Sequence, residues 1–206
     1  MQNRFSDTDY IEKPTLFLEF HGNEAGLNQD VEFMKEIVKD HQCEDMVFEE
    51  DTRARNKLWE ARHNLAYAYV HGHPGRKLMV TDVCVPISQL SGAVQFARKK
   101  LEELDLIGGI LGHVGDGNYH TSLMIDLNDP DEVKRAGLYN ELIVEYALLR
   151  NGTCTGEHGV GVGKMKYQER EHGGALKVME KIKHALDPLE IFNPHKLVHK
   201  KKEESE

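Results

Sequence analysis

The chain has 206 residues, 39% of them hydrophobic and 30% charged, which is the composition of a soluble globular protein long enough to bury a real core. A net charge of −9 argues against a basic face for nucleic acid, and no apolar run reaches the roughly 18–20 residues that a membrane span needs. The three cysteines, Cys43, Cys84 and Cys154, are odd in number and far apart, so a disulfide framework is not expected and a reducing compartment fits, with Cys84 and Cys154 read as buried thiols.

The acidic start is neither a signal peptide nor a basic transit sequence. Residues 1–13 are expected to be an extended or disordered lead-in to one domain over 14–198, with a charged tail at 199–206. Alternation in Thr15–Phe20 predicts a strand with Leu16, Leu18 and Phe20 on one face. Val31, Met34, Val38 and His41 mark a helix, Met46–Phe48 a short strand, and Thr52 to Val70 a second helix. On that helix Trp59, Arg62, Ala66 and Tyr69 share a face, which turns Arg62 inward. Leu78–Val85 reads as a strand closed by Pro86, followed by a helix from Ser88 with the stripe Leu90, Val94, Ala97, Leu101 and Leu104. Asp129-Pro130-Asp131-Glu132 opens a helix with a capping aspartate, proline at the first helical position and a capping-box glutamate. A last helix runs from Tyr167 to Leu186. This order lacks the alternation of a doubly wound sheet and predicts an α+β fold: an antiparallel sheet with helices packed on one face, in ferredoxin-like units.

Chemistry gathers in two stretches. In Gly112-His113-Val114-Gly115-Asp116-Gly117-Asn118-Tyr119-His120 the Asp-Gly pair predicts a two-residue hairpin turn that sets His113 opposite His120. Opposed Cβ atoms are about 5 Å apart, which suits two imidazoles sharing a divalent ion; two half-exposed histidines on a hairpin are the plainer alternative. The returning strand shows Tyr119, Thr121, Leu123 and Ile125 on one face and Asn118, His120 and Ser122 on the other. The second stretch, Gly152 to Lys164, packs glycines around Glu157-His158. It fails the Walker pattern, with His158 where glycine is required and Met165 after Lys164, and it fails the dinucleotide fingerprint. A loop built for close backbone approach remains, against the alternative of a flexible linker. His113, His120 and Glu157 match the ligand set of an open metal site, leaving His158 as a base. Arg62 and Lys77 are candidate anion holders, or members of ordinary salt bridges.

Together with Leu16–Gly22, Leu58–His63, Thr81–Pro86 and Thr153–Gly159, the hairpin motif resembles the C-terminal domain of the FAD-linked D-2-hydroxyacid dehydrogenases, nearest to the mitochondrial D-lactate-oxidising members. The resemblance implies oxidation of a D-2-hydroxy acid to the 2-oxo acid, with a divalent metal, manganese or zinc, on His113, His120 and Glu157, and with His158 as base. It places the substrate carboxylate on Arg62 and Lys77. It assigns FAD mainly to an N-terminal flavin-binding domain absent from this sequence, so that the domain alone turns over nothing. Asn193 would meet the flavin; Asn193-Pro194-His195-Lys196 departs from the family's Asn-Pro-Gly-Lys at His195. Ser122 stands where 2-hydroxyglutarate enzymes carry Asn, which favours a small monocarboxylate such as lactate. A respiratory acceptor such as cytochrome c or a quinone and a mitochondrial location follow from the same resemblance. A metal-binding interaction module that lost its flavin partner, and a metal hydrolase, are the rival readings.

Overall fold

Short polar side chains start the helices of the N-terminal unit. In the computed structural model, which describes residues 13–41, 43 and 46–197, the chain divides into the units Met1–Ala68 and Tyr69–Glu206. Helix α1 (Glu24–Asp40) begins where the Asn23 side chain accepts the Gly26 amide, and α2 (Thr52–His63) where Asp51 accepts those of Arg53 and Ala54. The single helix expected from Thr52 to Val70 is interrupted at Asn64, which caps α2 at φ −84° and ψ −1°, and resumes as α3 (Leu65–Gly72). Residues 15–20 and 46–48 do not form the expected strands. Alternation gives a segment two faces, but its amides also need a ladder partner, and the described part of this unit contains no strand.

The second unit is built on a central strand. Strands β1 (Lys77–Val80) and β2 (Val83–Cys84) lie in one continuous register along the same edge of β4 (Asn118–Ile125), with Lys77 opposite Ile125 and Val83 opposite Tyr119. The strand expected over Leu78–Val85 is therefore present but broken at Thr81-Asp82. The Thr121 amide donates to the Thr81 hydroxyl oxygen at 2.9 Å, so the Thr81 side chain takes the ladder bond and releases its own carbonyl. Strand β3 (Gly108–His113) pairs antiparallel with the other edge of β4. Helix α4 (Ile87–Glu103) joins β2 to β3, which run parallel with β4 between them: the split βαβ arrangement of a ferredoxin-like unit.

Helix α5 (Pro130–Leu148) starts as its sequence dictates, with Asp129 accepting the amides of Asp131 and Glu132 and Pro130 in the first turn. Glu132 does not close a capping box; its buried carboxylate pairs with the Arg76 guanidinium. Tyr119, Leu123 and Ile125 of β4 pack with Leu90, Ala97 and Leu101 of α4 and with Tyr139, Ile143 and Val144 of α5 in one core. Thr121 enters that core by bonding the Tyr139 hydroxyl at 2.8 Å. The helix expected from Tyr167 to Leu186 is two, α6 (Met165–His172) and α7 (Ala175–Leu186), because Gly173 adopts φ 49°, ψ −125° and ends the first. Among the described residues, no helix is long and apolar enough to cross a membrane.

Candidate metal and acid–base site

The hairpin differs in register from its expected form. His113 pairs with Asn118, and His120 with Leu111. Val114–Asp116 form one 3₁₀ turn closed by Gly117 at φ 74°, so the loop has four residues rather than two. An aspartate followed by a left-handed glycine serves either loop; here the Gly117 carbonyl also accepts the Val85 amide at 3.0 Å, which ties the turn to the end of β2. A slip of two residues preserves sidedness, whereas a slip of one would have reversed it. His113 and His120 thus remain on one face as diagonal neighbours, their ring centroids 6.3 Å apart and their planes at 84°.

Glu157 completes the group. Its Oε1 lies 2.7 Å from His120 Nε2, 3.8 Å from His113 Nε2 and 3.9 Å from His158 Nε2, so one carboxylate oxygen faces three imidazoles. Ligand atoms of His113, His120 and Glu157 fall within 4.8 Å of one another, as do those of Asp82, His120 and His158. Ring orientation separates the two sets. An imidazole lone pair lies in the ring plane, so a shared ion must lie near both planes. The His113 and His120 planes cross almost at right angles, whereas His158 stacks on His120 at 4.7 Å and 7°. His113, His120 and Glu157 therefore fit one divalent ion, and His158 sits beside them as a free imidazole with its side chain 46% exposed.

The anchoring of these groups was not read from the sequence. Asp82, at the break between β1 and β2, is 2% exposed. Its Oδ2 accepts the Thr155 hydroxyl (2.7 Å) and the amides of Glu157 (3.0 Å) and His158 (2.9 Å), while Oδ1 accepts the Asn118 side-chain amide (3.0 Å). Burial alone would raise the Asp82 pKa, but these donors, led by the His158 amide, outweigh it and hold it at about 2. The Thr81 carbonyl freed from the ladder lies 3.2 Å from His120 Nδ1. With an Nδ1–H donated there, Nε2, on the side of the ring that faces Glu157, is the nitrogen left to ligate an ion. On the loop's other side, Lys164 Nζ donates to the carbonyls of Asp82 (2.8 Å) and Cys154 (2.5 Å), which gives this lysine a structural use in place of a phosphate. The available signal was a lone carboxylate within the apolar run Leu78–Val85, on the face opposite the core.

Of the other expected site residues, Ser122 is buried on β4 two positions from His120 and on the same face. The Tyr69 hydroxyl fills the space where a Cβ on Gly109, the β3 partner of Ser122, would stand. Lys77 is exposed on the opposite face, and its partner Ile125 is five residues from His120, roughly 17 Å along the strand; the structure does not bring it to the cluster. Arg62 is half-buried on α2, in the N-terminal unit. Asn193 lies in an exposed turn where Asn193, His195 and Leu197 all have positive φ, His195 at 59°. A left-handed backbone at His195 is one that glycine adopts most readily, in keeping with the glycine expected there from the resemblance. The Leu197 amide donates to the Gly161 carbonyl at 3.2 Å, which joins this turn to the glycine-rich loop.

Residues 2–197 match the family described as FAD linked oxidases, C-terminal domain. The chain is 43% identical over 197 residues to the Danio rerio protein named "Probable D-lactate dehydrogenase, mitochondrial", covering 95% of this chain and 40% of the relative. It is 40% identical to the Arabidopsis thaliana protein named "D-lactate dehydrogenase [cytochrome], mitochondrial", covering 95% and 35%. Among solved structures, 4-ethylphenol oxidase from Gulosibacter chungangensis superposes with a TM-score of 0.52 at 17% identity, over 83% of this chain and 37% of that one, a likeness of fold. The chain thus spans about two fifths or less of the curated relatives it matches. By the extent of the family match, it belongs to the FAD-linked oxidases as a C-terminal domain.

Proposed function

We propose that this domain supplies the substrate and metal side of an FAD-dependent dehydrogenase that oxidises D-lactate, or a D-2-hydroxy acid of similar size, to the 2-oxo acid. The observation that carries the reading is the single Glu157 oxygen facing the Nε2 atoms of His113, His120 and His158. A divalent ion, manganese or zinc, on His113, His120 and Glu157 would supply Lewis-acid polarisation of the substrate's C2 hydroxyl and carboxylate, and FAD would supply the hydride acceptor. His158 takes the hydroxyl proton as C2 is oxidised; its imidazole is solvent-accessible and held against His120. Buried Ser122 lines the same face with a small side chain, which suits a monocarboxylate. Arg62, in the N-terminal unit, carries a guanidinium fork of the kind that matches a carboxylate. The placement of Lys77 leaves it outside the site.

The flavin-binding domain is the partner, met in part through Asn193 in its exposed turn. A mitochondrial location follows the names of the relatives, and the word cytochrome in one of them favours a respiratory acceptor of that kind over a quinone. The domain alone is inactive in this account. The test supplies a relative's FAD-loaded flavin domain in trans and follows dye reduction by D-lactate. Turnover that is lost in His158→Ala, with metal content unchanged, supports the reading. A tight complex that oxidises nothing refutes it and favours a non-catalytic metal-binding module.

A further inference from the structure

We infer that Asp82 is the positioning residue of this site, one buried carboxylate that holds the backbone of Glu157 and His158 and orients the ring of His120. Thr155, Glu157 and His158 all donate to its Oδ2, so the strand edge fixes the loop at the two residues assigned as ligand and base. Its Oδ1 lies 3.4 Å from His120 Nδ1, beside the Thr81 carbonyl at 3.2 Å, so two acceptor oxygens face that nitrogen. Asn118, opposite His113 in the hairpin, donates to the same Oδ1. Each member of the cluster is therefore tied to Asp82 directly or through a paired neighbour.

A ligand role for Asp82 fits less well. Its two oxygens already accept four donors, and the His120 and His158 rings that would share an ion with it are stacked parallel. Gly156 permits the arrangement, since a Cβ there would lie 1.7 Å from Asn118 Nδ2 and 3.0 Å from Asp82 Oδ1. Lys164 holds the Asp82 carbonyl to that of Cys154, so the main chain at Asp82 stays in place when its side chain is changed.

The consequence for metal binding rests on the ligand assignment above; the positioning itself does not, and the experiment separates them. Asp82→Asn and Asp82→Ala are compared with wild type in the metal-free protein by amide hydrogen exchange and by the ¹⁵N shifts of His120, and then by titration with Mn²⁺ and Zn²⁺. Asparagine keeps one acceptor oxygen for the loop but sets an NH₂ group toward His120 or toward the loop donors. The expected result is exchange at the Glu157 and His158 amides at least about tenfold faster, unchanged exchange at Leu123 in the core, loss of the Nδ1–H signature of His120, and Mn²⁺ affinity about 10–100-fold weaker. Exchange at Glu157 and His158 within twofold of wild type in both variants overturns the inference. A uniform rise that includes Leu123 also overturns it, because that is general destabilisation. If Asp82→Ala does not fold, Asp82→Asn carries the same criteria. Wild type that binds neither Mn²⁺ nor Zn²⁺ while the loop amides respond as expected supports the positioning role and refutes the metal assignment alone.

Discussion

Alanine at two glycines of the same loop should have opposite effects. At Gly156 the added Cβ would stand 1.7 Å from Asn118 Nδ2, 2.8 Å from its Cγ and 3.0 Å from Asp82 Oδ1. Gly156 is not among the positive-φ glycines, so the cost is steric and falls on Asn118. Asn118 is 6% exposed and cannot swing into solvent; it must give up its bond to the Asp82 carboxylate. A hydrogen bond to a charged group is worth about 1.5–3 kcal/mol, and forcing a methyl group into packed surroundings adds about 1–3 kcal/mol. Gly156→Ala should therefore destabilise the domain by on the order of 4 kcal/mol. Gly163 has nothing within 4 Å of a built Cβ and no positive φ, so alanine there should be neutral or stabilising by up to about 1 kcal/mol, through reduced freedom of the unfolded chain. Urea titrations followed by near-UV circular dichroism, which reports the buried Tyr119 and Tyr139, measure both variants. A Gly156→Ala stability within about 1 kcal/mol of Gly163→Ala would refute the close approach on which the loop geometry depends.

Arg76→Ala should cost about 3–5 kcal/mol, because it strands Glu132, whose side chain is 7% exposed, without its cation; a loss under about 1 kcal/mol in the same titration would contradict that burial. His113→Ala and His120→Ala should both lose metal yet differ in stability. The His113 side chain is 53% exposed and should cost little, whereas removing His120, 6% exposed, leaves the Thr81 carbonyl without its partner at about 1–3 kcal/mol. Equal melting temperatures would argue against the Thr81 anchor. Thiol labelling of the native protein at pH 8 should be fast at exposed Cys43 and slow at Cys84, whose pKa is raised by burial and then by Asp82 and Asp116. Cys154, fully buried and pushed up to about 12 by burial and by Glu171, should react only on unfolding, and rapid native labelling there would be inconsistent with this packing.

Local signals were the most legible in the sequence. The Asp129 cap, Pro130 and the stripe through α4 act within a few residues and appear as expected. The antiparallel sheet with α4 and α5 on one face followed from the order of those elements. The histidine pair survived an error in loop length because a two-residue slip conserves the face. What failed depended on distant partners. Residues 15–20 have a strand's alternation and no ladder. Glu132 has a capping-box spacing, but its carboxylate goes to Arg76, 56 residues away. Asp82 receives the backbone of a loop 75 residues further on, and Thr81 substitutes a hydroxyl for its carbonyl in the ladder; no periodicity announces either. Glycines were read as permissive of close approach, and Gly156 shows that approach, but its neighbours could be named only from the fold.

The proposed chemistry depends on His113, His120 and Glu157 holding one divalent ion. Elemental analysis of wild type and His113→Ala, purified side by side and equilibrated with Mn²⁺ or Zn²⁺ before desalting, tests it most directly. About one ion per wild-type chain is expected, and less than roughly a tenth of that in the variant, with unchanged circular dichroism. A metal-free wild type, or equal metal content in the two proteins, would contradict it.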